Sequence, residues 1–188
     1  MNVIETSLPG VLVIEPIVHA DKRGFFQEIW QDQRYADIGI SGPFSQDSVS
    51  ASRNRVLRGL HVQVIEPQGK LVYVLGGSVF DVAVDIRPDS AHFGRWFGTT
   101  ISEVDHRQIW IPPGFAHGFC VLSEPATLCY KCTTKYIASA QRSIRWDDPD
   151  IAIEWPIRNP ILAPTDADAP FLRDSEFALA AARSVAER

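Results

Sequence analysis

The strongest constraint on the fold is a rhythm. Short runs of β-branched and aromatic residues recur with turn-forming residues roughly every 8–12 positions, and almost none of the chain has helical spacing. The runs cover 11–14, 25–30, 44–50, 56–63, 71–75, 78–86, 94–101, 108–111, 118–122, 128–136 and 143–146. Asp21-Lys22-Arg23-Gly24 is a turn signal, and Gly76-Gly77 between two β-branched runs predicts a hairpin. So many short strands without intervening helices specify an antiparallel all-β sandwich or barrel. Two helices are expected. One spans 32–38 and is stopped by Gly39; the other is an alanine-rich tail segment, 176–183, capped by Asp174-Ser175. The proline-rich stretch 156–170 is too short to separate domains, so 1–188 is expected to be one domain. Its core would be roughly 3–172, followed by a helical tail over 173–188.

At 188 residues, 45% hydrophobic and 22% charged, the chain has the profile of a globular protein with one core. A net charge of −5 gives no basic surface for nucleic acid, so anion binding must come from local clusters. No apolar run is long enough to span a membrane, and the first residues lack a signal-peptide pattern, so the expected location is the cytoplasm. Cys129 and Cys132 form a C-x-x-C inside a strand pattern, which places them on opposite faces, and Cys120 stands apart. All three read as small apolar residues in a reducing compartment.

Two stretches carry candidate chemistry. In the first, Leu57-Arg58-Gly59-Leu60-His61-Val62-Gln63 is followed by a polar turn and Gln68-Gly69-Lys70-Leu71-Val72. Strand alternation puts Val56, Leu60 and Val62 on one parity, and Leu57, Gly59, His61 and Gln63 on the other. An imidazole between Arg58 and Lys70 suits proton handling beside an anionic ligand; the alternative is a wet strand face with incidental polar residues. The second stretch is Ile111-Pro112-Pro113-Gly114-Phe115-Ala116-His117-Gly118-Phe119. Its P-x-G-x-x-H pattern resembles the second motif of the cupins, small jelly-roll barrels in which this turn points a histidine into the barrel mouth. Metal-binding cupins supply H-x-H and a carboxylate from their first motif. Here the corresponding stretch is His61-x-Gln63 followed by a lysine, a poor donor set for a transition metal, and no metal is expected.

A longer set of motifs matches in order and spacing. It comprises Asp21-x-Arg23-Gly24-Phe25-Phe26, Gln46-Asp47, Val56-Leu57-Arg58-Gly59-Leu60-His61, Gln68-Gly69-Lys70-Leu71-Val72 and Phe80-Asp81-Val82-Ala83-Val84-Asp85-Ile86-Arg87. It continues with Phe93-Gly94-x-Trp96, Trp110-Ile111-Pro112-x-Gly114-Phe115-Ala116-His117-Gly118-Phe119, Tyr130-Lys131-x-Thr133 and Trp146-x-Asp148-Pro149. Together these resemble the dTDP-4-dehydrorhamnose 3,5-epimerase family over roughly 3–172. The resemblance implies a metal-free, cofactor-free cupin and a homodimer. The implied activity is inversion of C3 and C5 of dTDP-4-keto-6-deoxyglucose in the route to dTDP-L-rhamnose.

That activity removes a proton α to the C4 ketone and returns one to the opposite face. It therefore needs a base, an acid and a positive group at the C4 oxygen. By resemblance His61 is the base, oriented by Asp166; Lys70 stabilises the enolate oxygen; Tyr130 is the acid. Arg58 and Arg23 are implied diphosphate contacts, Phe26 and Tyr136 thymine-stacking residues, and Glu28 a base contact. Gln46 and His117 would line the sugar pocket. The segment with Arg23, Phe26 and Glu28 is expected to complete the neighbouring subunit's site. Two positions depart from the pattern. Ser48 stands where the family usually has asparagine, and Thr165 where it usually has lysine before the dyad aspartate. Both border the implied sugar pocket, where they bear on which carbons are inverted and which sugar nucleotide is accepted.

The alternatives are an epimerase acting at C3 or C5 only, or a 3,4-ketoisomerase of related sugar nucleotides. Outside that chemistry stand a metal-dependent cupin oxygenase and a non-catalytic sugar-binding barrel.

Overall fold

The computed structural model describes residues 1–186, so the last two positions of the expected tail, 187 and 188, lie outside the described residues. Among the described residues thirteen strands run in chain order: β1 (Asn2–Glu5), β2 (Leu12–Glu15), β3 (Val18–Asp21), β4 (Gly24–Gln27), β5 (Gln46–Ser52), β6 (Leu57–Gln63), β7 (Lys70–Gly76), β8 (Ser78–Asp85), β9 (Trp96–Ser102), β10 (Gln108–Ile111), β11 (Phe115–Val121), β12 (Ala126–Cys132) and β13 (Gln141–Ser143). Helix α1 (Asp32–Ala36) follows β4, and α2 (Pro164–Ala167) and α3 (Glu176–Ala186) close the chain. The expected all-β cupin-type jelly roll with a short C-terminal helix is the fold observed.

The strands form a six-stranded sheet, β1-β2-β10-β7-β12-β5, facing a five-stranded sheet, β13-β6-β11-β8-β9. All the ladders are antiparallel. The hairpin β3–β4 stands apart from both sheets. Between the sheets, Val72, Val74, Ile109, Ile111 and Leu128 of the first meet Val79, Ala83, Ile101, Phe115, Phe119 and Val121 of the second. Burying each such side chain contributes roughly 1.5–3 kcal/mol.

A second cluster covers the outer face of the five-stranded sheet. Leu60, Val62, Val82, Val84 and Ala116 pack there against Ile144, Ile151, Leu172 and Phe177 of the C-terminal segment. Strand β8 is thus buried on both faces, which is why its sequence is a nearly continuous apolar run. The tail helix docks on the barrel through Phe177. On the outer face of the other sheet, Tyr35 of α1 and Ile40 pack on Ile14, Leu71 and Trp110.

Several expectations are corrected. Gly76-Gly77 does not close a hairpin: β7 pairs with β10 and β12, while β8 pairs with β9 and β11. The glycines instead carry the chain from one sheet to the other. Gly77 has φ +76°, and a Cβ there would lie 2.3 Å from both the Pro125 carbonyl and Ser123 Oγ, so this crossing is pressed against the β11–β12 connection. Strands expected over 25–30, 128–136 and 143–146 are displaced or shortened to β4, β12 and β13. After β12, Thr133 leaves the ladder to bond Gly69 through both its backbone and its hydroxyl.

The simple alternation read across 56–63 also fails. The register between β6 and β11 shifts between the His117–His61 and Phe119–Arg58 pairs. Gly59, at φ +125°, sits at that bulge, where a Cβ would lie 2.5 Å from Gly118 Cα. The extra residue resets the parity. Val56 packs on the interior cluster, whereas Leu60 and Val62 belong to the outer one. Arg58 and His61, three apart, consequently come to serve the same side of the sheet.

Candidate active site

Period-two alternation stocks the open end of the barrel with polar groups. Inward positions of β5 are Gln46, Ser48, Ser50 and Ser52; β7 begins with Lys70, and β12 ends with Tyr130 and Cys132. Facing them from the other sheet are His61 and Gln63 of β6, Asp81 of β8 and His117 of β11. A cavity of about 350 Å³ is lined by Gln46, Ser48, His61, Lys70, Tyr130 and Tyr136, with Val62, Gln63, Gln68, Cys132 and Gln141 completing its wall. A larger hollow of about 590 Å³ lies against α3, lined by Phe93, Trp96 and Leu172 among others. None of the histidines, Lys70 or Tyr130 lines it, so the smaller cavity is the chemical one.

His61 Nε2 lies 2.7 Å from Asp166 Oδ1. The Asp166 side chain is 3% exposed, and its second oxygen accepts the Gly59 N–H at 3.2 Å. Burial pushes the Asp166 carboxyl up, but the bond and charge of His61, the Gly59 amide and the Arg58 charge outweigh it and hold the group below the usual carboxylate range. An ionised carboxylate only accepts, so Nε2 carries the proton and Nδ1 keeps the free lone pair. Helix α2 supplies Asp166 from its first turn, with Pro164 at the helix start.

Lys70 stands directly opposite Cys132 in the β7–β12 register, with Tyr130 two residues along β12. Burial lowers the Lys70 ammonium below the ordinary lysine range, opposed by the charges of Cys132 and Asp81. The Tyr130 hydroxyl lies 2.8 Å from Ser50 Oγ. Burial pushes the phenol up, the Ser50 bond and Arg58 pull it down, and the net shift is upward, so the phenol keeps its proton across the physiological range. The imidazole of His61 and the phenol of Tyr130 thus come from opposite sheets into one cavity.

His117, placed opposite His61 in the β6–β11 register, does not line that cavity. It is 4% exposed, bonds Asp81 Oδ2 through Nε2 at 2.9 Å, and its ring meets Tyr130 edge-on at 6.1 Å between centroids. Burial lowers its pKa despite Asp81, with Lys70 and His61 adding to the depression.

Gln63 is a wall rather than a ligand. Its amide nitrogen donates to the Glu66 and Lys135 carbonyls, and its oxygen accepts the Ile137 N–H. Among the described residues no group of three or more His, Cys, Asp or Glu side chains is arranged to hold a metal ion. The three cysteines are buried and unbridged. Cys132 lines the cavity while Cys129 contacts Tyr73, on the opposite face as expected.

Of the remaining expected site residues, Gln46 and Ser48 bond each other at 2.9 Å, and Gln46 Oε1 accepts the Tyr136 N–H. Arg58 donates from Nε to Ser52 Oγ at 3.1 Å. Within the chain Arg23, Phe26 and Glu28 do not reach the cavity. Arg23 is paired with Asp21 on the β3–β4 hairpin, its side chain 84% exposed, and Glu28 is paired with Arg34. Phe26 is 70% exposed. Thr165 sits in α2 beside Asp166. The motifs do not mark Ser50, Asp81 or the Gly59 amide as site groups; the structure brings them to the site through Tyr130, His117 and Asp166. Ser50 was visible as the third inward position after Gln46 and Ser48 on a period of two.

A family model described as dTDP-4-dehydrorhamnose 3,5-epimerase matches residues 5–174. The chain is 48% identical over 180 residues to the dTDP-4-dehydrorhamnose 3,5-epimerase of Shigella flexneri, covering 94% of this chain and 99% of that one. It is 51% identical over 175 residues to the enzyme of the same name from Salmonella typhimurium, covering 92% and 96%. A crystal structure of a dTDP-6-deoxy-D-glucose-3,5-epimerase from Legionella pneumophila, in complex with dTDP-4-keto-L-rhamnose, superposes with a TM-score of 0.92 at 48% identity, covering 95% of this chain and 96% of that one.

Proposed function

The chain belongs to the dTDP-4-dehydrorhamnose 3,5-epimerase family, and we propose that it inverts C3 and C5 of dTDP-4-keto-6-deoxyglucose to give dTDP-4-dehydro-L-rhamnose. The observation that carries this reading is the His61–Asp166 pair at 2.7 Å in a cavity shared with Lys70 and Tyr130. Nδ1 of His61 takes the proton from the carbon next to the ketone, and Asp166 stabilises the resulting imidazolium without taking its proton. Negative charge moves onto the C4 oxygen, where the Lys70 ammonium meets it. Tyr130, still protonated, returns a proton from the other face, which inverts the centre. The same set serves C5 after C3, since both carbons flank one ketone.

Binding of the nucleotide falls to groups around the cavity. Arg58 suits the diphosphate, Tyr136 offers an exposed ring for the thymine, and Gln46 and Ser48 bound the sugar end, while His117 lies buried behind it. Arg23, Phe26 and Glu28 would serve a second copy of the chain, with the β3–β4 hairpin reaching into the neighbour's site in a homodimer. The exposure of Arg23 and Phe26 on a hairpin outside both sheets, with Glu28 just after it, supports this. The buried, unbridged cysteines support a reducing location, the cytoplasm.

Incubation with dTDP-4-keto-6-deoxyglucose in D₂O, followed by NMR, tests the function. Deuterium is expected at C3 and C5 with the wild-type chain and at neither with His61→Ala. Label at one carbon alone would narrow the activity to a single-site epimerase. Undiminished exchange by His61→Ala would remove His61 as the base.

A further inference from the structure

We propose that Gln46, Gln63 and Gln68 form a clasp on the loop 133–137, and that this clasp holds the Tyr136 ring at the cavity mouth before the nucleotide arrives. The proposal rests on the reading of Tyr136 as the ring that meets the thymine, and it names three positioning residues that act through the loop. Four consecutive residues are gripped. The Thr134 carbonyl accepts Gln68 Nε2 at 2.7 Å, and the Lys135 carbonyl accepts Gln63 Nε2 at 3.0 Å. The Tyr136 N–H donates to Gln46 Oε1 and the Ile137 N–H to Gln63 Oε1, both at 2.8 Å. The glutamines come from β5, β6 and the connection before β7, and all three line the cavity.

Backbone bonds pin the chain on either side of this stretch, Thr133 to Gly69 and Ala140 to Val64. Residues 133–137 themselves lie in neither helix nor strand, so side-chain amides take the place of a ladder. A carboxamide suits this task because it offers a donor and an acceptor, as a peptide group does. Gln63 uses both to bracket Tyr136, and it also donates to the Glu66 carbonyl at 2.9 Å. It is 5% exposed, so these bonds are sheltered from water. Ser48 Oγ accepts Gln46 Nε2 at 2.9 Å, which turns the Gln46 oxygen toward the Tyr136 N–H. Tyr136 is 53% exposed, so its backbone rather than close packing of the ring sets where the ring stands. A loop ordered in the free protein has no further backbone entropy to lose when the nucleotide binds.

The probe is dTDP, which carries the nucleotide without the sugar. In the full chain, Gln46→Met and Gln63→Met keep the length of the side chain and lose the bonds. Each is expected to weaken dTDP binding about 3–10-fold by calorimetric titration, and to raise KM for the sugar nucleotide more than it lowers kcat. A glutamine that served only the sugar would leave dTDP binding unchanged. The Tyr136 and Ile137 amides are expected to exchange faster with D₂O in these variants. In a Tyr136→Ala chain, the same glutamine changes are expected to weaken dTDP binding no further. Where Tyr136→Ala weakens dTDP binding, wild-type affinity in Gln46→Met and Gln63→Met overturns the proposal. So does a glutamine effect that persists undiminished in Tyr136→Ala. If Gln63→Met does not fold, Gln68→Met takes its place and the Thr134–Ile137 segment is read by the same measurements. Where Tyr136→Ala binds dTDP as wild type does, the stacking reading fails instead, and amide exchange alone decides the clasp: faster exchange upholds it and protected amides refute it.

Discussion

His61 and His117 face each other in register across β6 and β11, yet they are bonded to different carboxylates. His61 lines the cavity and takes its carboxylate, Asp166, from α2, more than a hundred residues downstream. His117 is sealed below, with Asp81 from the adjacent strand β8. Two imidazoles so close would repel if both were charged. Burial resolves this by holding His117 below the ordinary imidazole range.

The dyad makes a direct prediction. Asp166→Asn keeps the volume but no longer fixes the Nε2–H tautomer or stabilises the imidazolium. Exchange at C3 and C5 is expected to fall by roughly 10²–10⁴, the range of a positioned acid–base group, with substrate binding little changed. Single-turnover exchange and a separate binding titration would check the split. A loss confined to binding would remove Asp166 from the proton-transfer step.

Gly59 carries a backbone demand and a steric one together. At φ +125° and with Gly118 Cα 2.5 Å from where a Cβ would sit, Gly59→Ala strains the bulge and drives β6 from β11. A loss of roughly 2–5 kcal/mol is expected by urea unfolding, combining backbone strain with overpacking. Because the same residue donates its N–H to Asp166, exchange activity should fall as well. An unfolding midpoint equal to wild type would refute the bulge as the site of the constraint.

Much of this was legible in the sequence because strands announce themselves locally. The runs 78–86 and 108–111 contain β8 and β10, and three residues of the ordered motifs, His61, Lys70 and Tyr130, line one cavity, with Asp166 bonded to His61 behind it. Which strands pair was not local. Gly76-Gly77 has the composition of a hairpin turn, but the apolar positions of β7 and β8 gain more by facing each other from two sheets than by lying side by side in one. The parity reset at Gly59 was hidden for a similar reason, since a bulge is set by the partner strand. Arg23, Phe26 and Glu28 lie beyond what one chain's geometry assembles.

Ser50 is the clearest site group that only the structure brought forward. Its hydroxyl is bonded to the Tyr130 phenol at 2.8 Å, where it fixes the ring and lowers a pKa that burial raises. Ser50→Ala is expected to remove about 1 kcal/mol of that support, near a fivefold drop in exchange rate, while leaving the His61 step intact. Rescue by Ser50→Thr, which keeps the hydroxyl, separates this role from packing. A Ser50→Ala rate equal to wild type would show that the phenol needs no such anchor.

Acid stability follows from two buried carboxylates. Asp85 is fully buried and accepts Arg87 at 2.6 and 2.9 Å, the Arg87 amide, and Ser90 Oγ at 2.7 Å. Burial raises its pKa, but these bonds together hold it below the usual range, as His61 and Gly59 do for Asp166. A carboxyl with a depressed pKa in the folded chain contributes stability that is fully present above the unfolded value. That contribution is lost as pH falls through the folded one. Tm is therefore expected to decline below about pH 5, as unfolded aspartates bind protons that the folded ones resist. Asp85→Asn should lower Tm at neutral pH and flatten the decline, because one group that takes up a proton on unfolding is gone. An acid limb equally steep in Asp85→Asn and in Asp166→Asn would place the linkage elsewhere.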